Sequence, residues 1–319
     1  MASSIQRPVY VVYNPQAGQL RRRPAQLTRT LALLRQKWPG VRAIPTDGPK
    51  TAGRLVGSLV DEGAGLILIA GGDGTVNEAL PGIAGSDVPI GILPFGTANV
   101  LANELRLGND ALRTARQLME CTPVPVALGR MSSDYGTRLF ICMAGAGLDA
   151  RVTSLVNPAL KRRIGKLSYY FHSFQQVGSR LPEFLVRAEG REYRTSFALI
   201  SRVRNYGGDF EIARRANLLE DRFAVVLFSG ESSFRYVAYF LGVITHTHEQ
   251  LHGVTMIETA SVQVEPLEGQ PLDLHVDGEY AGAGAAHFQI AGSQVRLLTP
   301  APYVSVMTPA TVRLQYESS

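Results

Sequence analysis

Cysteine is scarce in this sequence, since only Cys121 and Cys142 occur among 319 residues. Their spacing fits neither a zinc site nor a disulfide framework, which indicates a reducing compartment. Uncharged apolar runs of about 18 residues are missing, and the first residues lack the apolar core of a signal peptide. We therefore expect a cytoplasmic protein without a membrane-spanning helix, in which any membrane contact is peripheral.

The sequence also lacks the Walker A pattern, because Gly48-Pro49-Lys50-Thr51 has neither the preceding glycine nor the spacing. Charged residues make up only 18% of the chain and hydrophobic residues 45%, which is typical of a globular protein. The net charge of +5 is mild, although basic residues cluster at 21–23 and 161–166. Such clusters are compatible with nucleic acid, an anionic membrane surface or plain solvation.

Strands and helices alternate over the first part of the chain, from an apolar strand at Val9–Tyr13 and a helix at Ala25–Lys37 to about Met119. This alternation predicts a doubly wound, mostly parallel sheet. The length of the chain suits a second domain as well.

Short strands dominate the rest of the chain, and one of them is predicted at Arg138–Ala144. A series of short strands with few helices between them is typical of an antiparallel β domain. We therefore predict an α/β domain over 1–128 and a β-rich domain over 129–302.

The stretch LILIAGGDGTVNEAL, Leu66–Leu80, is typical of a buried strand, a glycine turn and a helix. Thr75 and Glu78 fit a capping box, which would start the helix with its positive end towards the turn. The glycines leave room for backbone N–H groups to approach a phosphate. They are Gly71, Gly72 and Gly74, with Asp73 between them.

A second glycine turn follows, because the apolar run Ile90–Leu93 leads through Pro94-Phe95-Gly96-Thr97 into a predicted helix. One glycine turn alone would be explained as a tight connection in any α/β protein. Two turns at the same ends of adjacent parallel strands would line one crevice, where such sheets bind ligands. The repetition favours a functional site.

These two motifs, GGDGTVNEAL and PFGTANVLANEL, together with Asn14-Pro15-Gln16-Ala17-Gly18, resemble the diacylglycerol kinase catalytic domain family of bacterial lipid, sphingosine and ceramide kinases. The resemblance runs from Val9 to about Tyr303. It implies an enzyme that transfers the γ-phosphate of ATP to the hydroxyl of a membrane lipid such as diacylglycerol, with Mg²⁺ as cofactor. It also implies that residues 303–319 pack back onto the first domain.

The resemblance assigns ATP contacts to four segments and places Asp73 near the Mg²⁺-bound phosphates. The assigned residues are Asn14, Pro15, Gln16, Ala17, Gly18, Thr46, Gly71, Gly72, Asp73, Gly74, Thr75, Val76, Asn77 and Thr97. From the residues alone, Asn14-Pro15 could equally be a plain turn, and Thr46 and Thr97 could be helix caps.

Asp277-Gly278-Glu279 follows a run of alternating apolar residues, and Asp-Gly between two such runs predicts a β-hairpin. By the resemblance, Glu279 accepts the proton of the lipid hydroxyl, and Asp277 orients it or holds Mg²⁺ through water. The hairpin and the catalytic assignment are compatible.

Residues 207–209 and 216–223 resemble the segment that holds a structural Mg²⁺ in bacterial members of the family. The resemblance assigns Asp221 as a carboxylate ligand and the carbonyls of Leu218 and Phe223 as further ligands. The sequence departs from the pattern at Arg222, where glycine is usual, and at Arg214, where proline is usual. The resemblance therefore does not decide whether this chain has the metal site.

Residues 161–181 repeat apolar side chains at helical spacing between basic residues. This pattern fits either a helix at an anionic membrane or a core-facing helix with a solvated basic side. The GKLSYY sequence resembles a stretch beside the family's lipid-binding region. The expected partner is a membrane lipid met by transient association with the membrane, not a nucleic acid, and a homodimer is left open.

Two short motifs are rejected as sites. His248-Glu249-Gln250-Leu251-His252 matches the zinc motif HExxH, but a strand-like run follows it at once and no third ligand is positioned. Residues 145–150 resemble a dinucleotide fingerprint but lie outside the alternating half of the chain. The alternative functions are an NAD kinase-like enzyme acting on a soluble nucleotide and a non-catalytic lipid or nucleotide sensor.

Overall fold

The computed structural model describes residues 7–148, 150, 181–206, 210–267 and 269–308. They form two compact units. The first contains the described residues up to Ala127, the short piece Leu218–Glu220 and the chain from Ser293 onward. The second contains the remainder, so the chain returns to the first unit before residue 303.

The strands are numbered in chain order: β1 (Val9–Tyr13), β2 (Arg42–Pro45), β3 (Leu66–Gly71), β4 (Pro89–Pro94), β5 (Thr122–Ser133), β6 (Gly136–Phe140), β7 (Met143–Gly147), β8 (Phe184–Ala188), β9 (Arg191–Thr195), β10 (Phe197–Ser201), β11 (Asn205–Tyr206), β12 (Phe210–Glu211), β13 (Phe223–Phe228), β14 (Val254–Thr259), β15 (Ser261–Pro266), β16 (Asp273–Val276), β17 (Glu279–Ala283) and β18 (Ala286–Thr299). The described α-helices are α1 (Gly18–Arg22), α2 (Ala25–Lys37), α3 (Ala52–Asp61), α4 (Asp73–Ile83), α5 (Val100–Glu104), α6 (Ala111–Leu118), α7 (Ser233–Ile244) and α8 (Ala301–Met307).

The sheet of the first unit has the strand order β2-β1-β3-β4-β18, and each adjacent pair is parallel. Every residue of β3 is buried, as expected for a central strand that is covered on both faces. Helices connect the successive strands β1 to β4. The predicted α/β domain with a mostly parallel sheet is confirmed.

The second unit is an antiparallel β-sandwich. One sheet has the order β14-β13-β10-β7-β16-β17, and β15, β8 and β9 continue from β18 in the other, with β5 pairing β18 and β6. Side chains from both sheets form one apolar core, in which the rings of Phe140 and Phe223 stack with centroids 5.6 Å apart. The predicted β-rich second domain is confirmed.

Two local predictions were wrong. The helix after β3 begins at Asp73 rather than after Thr75, because the Thr75 hydroxyl oxygen accepts a hydrogen bond from Asn14 instead of capping the helix. The strand predicted over 138–144 is divided into β6 and β7, since the amides between them bind the Asp277 carboxylate. Helix α7 lies among the strands of the second unit, in a stretch where no element was predicted.

Among the described residues, no helix is both long and apolar enough to cross a membrane. The predicted amphipathic segment 161–181 lies almost wholly outside the described residues, as do 207–209 and most of 303–319.

Candidate active site

Four strands of the first unit end at one edge of the parallel sheet, and a segment assigned to ATP follows each of them. Asn14–Gly18 follows β1, Thr46 follows β2, Gly71–Asn77 begins at the end of β3, and Thr97 follows β4. Carboxyl ends of parallel strands share an edge, which is where α/β sheets bind ligands. The structure therefore brings all four segments to one edge.

The two glycine turns at this edge touch through their backbones. A Cβ atom built on Gly96 would lie 2.4 Å from the Cα atom of Gly72, and one built on Gly72 would lie 3.0 Å from the Cα of Gly96. The backbone N–H of Phe95 also donates to the carbonyl of Gly71 at 2.9 Å. A side chain on either glycine would push the turns apart, so both must be glycine for this contact.

Asn14 ties the first loop to the strand and helix beside it. Its Nδ2 donates to the hydroxyl oxygen of Thr75 at 3.2 Å, and its backbone N–H donates to the carbonyl of Ala70 at 3.1 Å. Its Oδ1 accepts from the N–H of Gln16 at 2.9 Å, which forms a local turn. Asn14-Pro15 therefore forms a turn that is hydrogen-bonded to α4.

The same loop also contacts the second glycine turn. Gln19 donates through its backbone N–H to the carbonyl of Phe95 at 2.9 Å and through Nε2 to the carbonyl of Gly96 at 3.0 Å. A Cβ on Gly18 would lie 3.2 Å from Oγ1 of Thr97. The three loops after β1, β3 and β4 therefore form one connected surface.

Asp73 is the first residue of α4 and is half-buried. Its Oδ1 accepts from the backbone N–H of Leu101 at 3.3 Å, which joins the first glycine turn to α5. A carboxylate in the first turn of a helix is stabilised by the helix dipole.

Sequence reasoning missed Asn99, which shapes the second glycine turn. Asn99 is 2% exposed and has the left-handed backbone conformation, with φ of 50°. Its Oδ1 accepts from the N–H of Gly96 at 2.8 Å, and its Nδ2 donates to Oδ1 of Asn109 at 2.8 Å. The available signal was the asparagine itself, which tolerates this conformation better than most residues, but the helix predicted over 98–105 included Asn99.

Side chains of some assigned ATP contacts are turned inward. Thr75, Val76 and Asn77 lie on α4 and are buried, whereas Gln16, Gly18 and Thr97 are exposed. Val76 packs in the apolar core, so only its backbone is a candidate for ligand contact.

The Asp277-Gly278 hairpin is confirmed in the second unit. Val276 pairs with Glu279 across a two-residue turn, in which Asp277 and Gly278 have φ of 46° and 77°. Two successive left-handed residues are typical of the turn that matches the twist of a hairpin.

The Asp277 carboxylate is bound by backbone amides. Oδ1 accepts from the N–H groups of Cys142 at 3.0 Å and Met143 at 2.9 Å, and Oδ2 accepts from that of Ile141 at 3.1 Å. The N–H of Asp277 donates to the carbonyl of Met143 at 2.7 Å. These contacts anchor the hairpin to the start of β7; the assignment of Asp277 to Mg²⁺ or to the acceptor stays a prediction.

Glu279 begins β17, the edge strand of its sheet, and its side chain is 42% exposed. Its Oε2 lies 3.1 Å from Nη2 of Arg138, whose Nη1 donates to the carbonyl of Tyr280 at 3.1 Å. Burial raises the pKa of the Tyr280 hydroxyl, and nearby Asp273 and Tyr135 raise it further. Sequence reasoning missed Arg138, because it lies 141 residues from Glu279 and belongs to no motif.

The residues assigned to a structural Mg²⁺ are in different environments. Leu218 is buried in the first unit, whereas in the second unit Asp221 is exposed and Phe223 is buried at the start of β13. Arg222 forms an ion pair with Glu258, with Nη1 and Oε2 3.4 Å apart. Over the described ranges, no group of three or more His, Cys, Asp or Glu side chains could hold a metal ion. The three assigned ligands stay a prediction.

The two rejected motifs have structural roles. His248 lies in a 3₁₀ turn, His248–Gln250, and its Nε2 is 2.8 Å from the carbonyl of Ile212 in a buried hydrogen bond. Gly145–Gly147 belong to β7, an inner strand that pairs with β10 and β16. Asp149, the acidic residue of the second motif, lies outside the described residues.

The fold defines a class of protein in which an α/β unit with a glycine-lined sheet edge is joined to an antiparallel β-sandwich. A crystal structure of a diacylglycerol kinase from Bacillus anthracis str. Sterne has the same fold, with a TM-score of 0.72 at 17% identity. The match covers 93% of this chain and 98% of that one.

The chain belongs to the diacylglycerol kinase catalytic domain family. Residues 8–131 match the model of the diacylglycerol kinase catalytic domain, and residues 142–299 match that of the YegS C-terminal NAD kinase beta sandwich-like domain. Family membership makes the protein a kinase of the lipid kinase type.

Curated relatives agree with this family. The diacylglycerol kinase of Mycobacterium tuberculosis (strain ATCC 25618 / H37Rv) is 26% identical over 277 residues, which cover 84% of this chain and 88% of the relative. The diacylglycerol kinase of Bacillus subtilis (strain 168) is 27% identical over 243 residues, which cover 74% of this chain and 78% of the relative. A probable lipid kinase YegS-like protein of Cronobacter sakazakii (strain ATCC BAA-894) is 26% identical over 271 residues, which cover 83% of this chain and 87% of the relative.

Proposed function

We propose that this protein transfers the γ-phosphate of ATP to the hydroxyl of a membrane lipid such as diacylglycerol. The observation that carries the proposal is the contact between Gly72 and Gly96, which leaves the sheet edge lined by backbone in a chain of the kinase family. The names of the curated relatives support a lipid as the acceptor.

The residues at the sheet edge fit a triphosphate. Gly71, Gly72, Gly74 and Gly96 carry no side chains, and α4 begins at Asp73 with the positive end of its dipole at the first turn. The exposed Thr97 and Gln16 offer polar groups beside it. Mg²⁺, when bound with ATP, would neutralise charge on the phosphates. We place Asp73 near the Mg²⁺-bound phosphates of ATP.

Glu279 is the general base in this proposal. Its exposed carboxylate takes the proton of the lipid hydroxyl as the hydroxyl oxygen bonds to the γ-phosphorus, and the bond to ADP breaks. Asp277 keeps the hairpin that carries Glu279 in place through its three amide hydrogen bonds. Transient peripheral association with the membrane belongs to the same proposal.

Labelled ATP separates this function from its alternatives. We expect label in the lipid fraction when the protein is incubated with Mg²⁺ and vesicles that contain diacylglycerol, and none with vesicles of phosphatidylcholine alone. A total lipid extract in a parallel reaction identifies the preferred acceptor. Label on NAD would support the NAD kinase-like alternative, and ATP binding without transfer to any acceptor would support a sensor.

A further inference from the structure

Arg138 reaches the hairpin that carries Glu279 from a neighbouring segment of the second unit. It belongs to β6 and makes two contacts with consecutive residues of β17. Nη2 lies 3.1 Å from Oε2 of Glu279, and Nη1 donates to the carbonyl of Tyr280 at 3.1 Å. One planar guanidinium thus spans the side chain of one residue and the backbone of the next.

This two-point contact limits how Glu279 can move. A glutamate at the start of an edge strand has several side-chain rotamers open to it, and water competes for its carboxylate. The side chains of Arg138 and Glu279 are 32% and 42% exposed, so the pair adds little to stability. The fixed geometry of the guanidinium, which is bound to the backbone at its other nitrogen, selects one carboxylate position.

The same short segment holds both acidic residues of the hairpin. Arg138 binds Glu279, and the amides of Ile141–Met143 bind Asp277. Residues 138–143 therefore act as a frame for the turn, with a partly exposed ion pair on one side of Gly278 and a buried set of amide hydrogen bonds on the other. The frame fixes the backbone of the turn through Asp277, whereas the direction of the Glu279 side chain depends on Arg138.

We infer that Arg138 is a positioning residue that holds the Glu279 carboxylate in the orientation in which it receives the acceptor proton. This inference rests on the proposed function. Arg138 acts through Glu279 and affects the chemical step more than the binding of ATP. It need not touch ATP or lipid.

The variants Arg138→Gln and Arg138→Lys test this role in steady-state lipid kinase assays of the full chain. We expect Arg138→Gln to lower kcat about 10- to 100-fold, as misplacement of a reacting group does, with the KM for ATP changed less than about twofold. Arg138→Lys should recover part of the loss, because an ammonium can bind the carboxylate but cannot span both acceptors.

Arg187→Gln is the matched control. Arg187 also bridges carboxylates on neighbouring strands of the second unit, those of Glu192 and Glu265, and is similarly exposed. We expect its kcat to equal that of the wild type. Equal losses in Arg187→Gln and Arg138→Gln would show that any lost surface ion pair has the same effect and would overturn the inference.

A double-mutant cycle with Glu279→Asp distinguishes action through Glu279 from action elsewhere. Glu279→Asp keeps a carboxylate but moves it away from Arg138. Adding Arg138→Gln to the Glu279→Asp variant should therefore lower kcat much less than it does in the wild type. Two outcomes would overturn the inference and leave the proposed function standing. The first is that the losses of kcat from the two single substitutions multiply in the double variant. The second is a normal kcat in Arg138→Gln when Glu279→Gln is inactive. Absence of phosphoryl transfer to any lipid by the wild type overturns both. If Arg138→Gln lowers the unfolding midpoint, Arg138→Lys replaces it in the double-mutant cycle with Glu279→Asp.

Discussion

Gly72 and Gly96 meet through their backbones, so that a single methyl group on Gly96 would lie 2.4 Å from Cα of Gly72 and 2.6 Å from Oδ1 of Asn99. We expect Gly96→Ala to lower the free energy of unfolding by about 1–3 kcal/mol, as overpacking of a close contact does. ATP affinity should fall as well, because the two turns move apart. Thermal unfolding and calorimetric titration with ATP measure the two effects.

Gly40→Ala is the matched control for this substitution, since a Cβ there would meet none of the described atoms within 4 Å. An unfolding midpoint for Gly96→Ala equal to that of Gly40→Ala would contradict the close contact.

Asp73→Asn removes a negative charge while keeping an oxygen that can accept from Leu101. We therefore expect the fold to persist, with an unchanged unfolding midpoint, and kcat to fall at least about tenfold. Asp61→Asn, an exposed carboxylate at the end of α3, is the control and should have normal kinetics. Unchanged kinetics in Asp73→Asn would remove Asp73 from the site.

Glu279→Gln keeps the size of the side chain but cannot take up a proton. We expect kcat to fall by at least about 100-fold, the usual contribution of a general base, while calorimetry still detects ATP binding. Near-normal kinase activity would refute the assignment of the base. Loss of ATP binding together with activity would assign Glu279 to the nucleotide instead.

Asp277→Asn should act mainly on stability. An amide group at this position has one accepting oxygen, so its NH₂ must face at least one of the three backbone N–H donors that the carboxylate now binds. We expect a loss of about 1–3 kcal/mol in the free energy of unfolding. Asp134→Asn, at an exposed turn of the same unit, serves as control. Equal unfolding midpoints for both variants would contradict the anchoring role.

Cys121 is predicted to be a slow nucleophile. Burial, and after it the charge of Glu120, raises the pKa of the Cys121 thiol to about 11, although Lys37 acts in the opposite direction. Because only the thiolate reacts, the rate of alkylation by iodoacetamide should rise about tenfold per pH unit through pH 9 and level off near pH 11. Mass spectrometry of the labelled peptide measures it. A plateau near pH 9, as expected for the chain in urea, would contradict this prediction.

Local sequence patterns predicted those features whose cause lies within a few residues. Strand β1 and helix α2 have the predicted bounds, because apolar run and helical periodicity are complete within each segment. The Asp277-Gly278 turn is likewise specified by two residues. The glycine motifs also indicated which sheet edge carries the candidate site.

Features set by tertiary contacts could not be read from the sequence. Thr75 has the spacing of a capping residue, but Asn14, which is 61 residues away, takes its hydroxyl oxygen. The ion pair of Arg138 and the anchoring of Asp277 depend on pairing across the second unit. In each case the partner is chosen by the fold and leaves no local signal.

The separation of Arg138 from Glu279 along the chain has a consequence for biogenesis. The contacts of this frame join residues 134 to 142 positions apart, so none of them can form until the chain has been synthesised to Asp277 and beyond. Long-range β pairing is also slow to form. The parallel sheet segments from β1 to β4 are complete much earlier on the ribosome, and the Glu279 carboxylate reaches its final orientation only as a late event of folding.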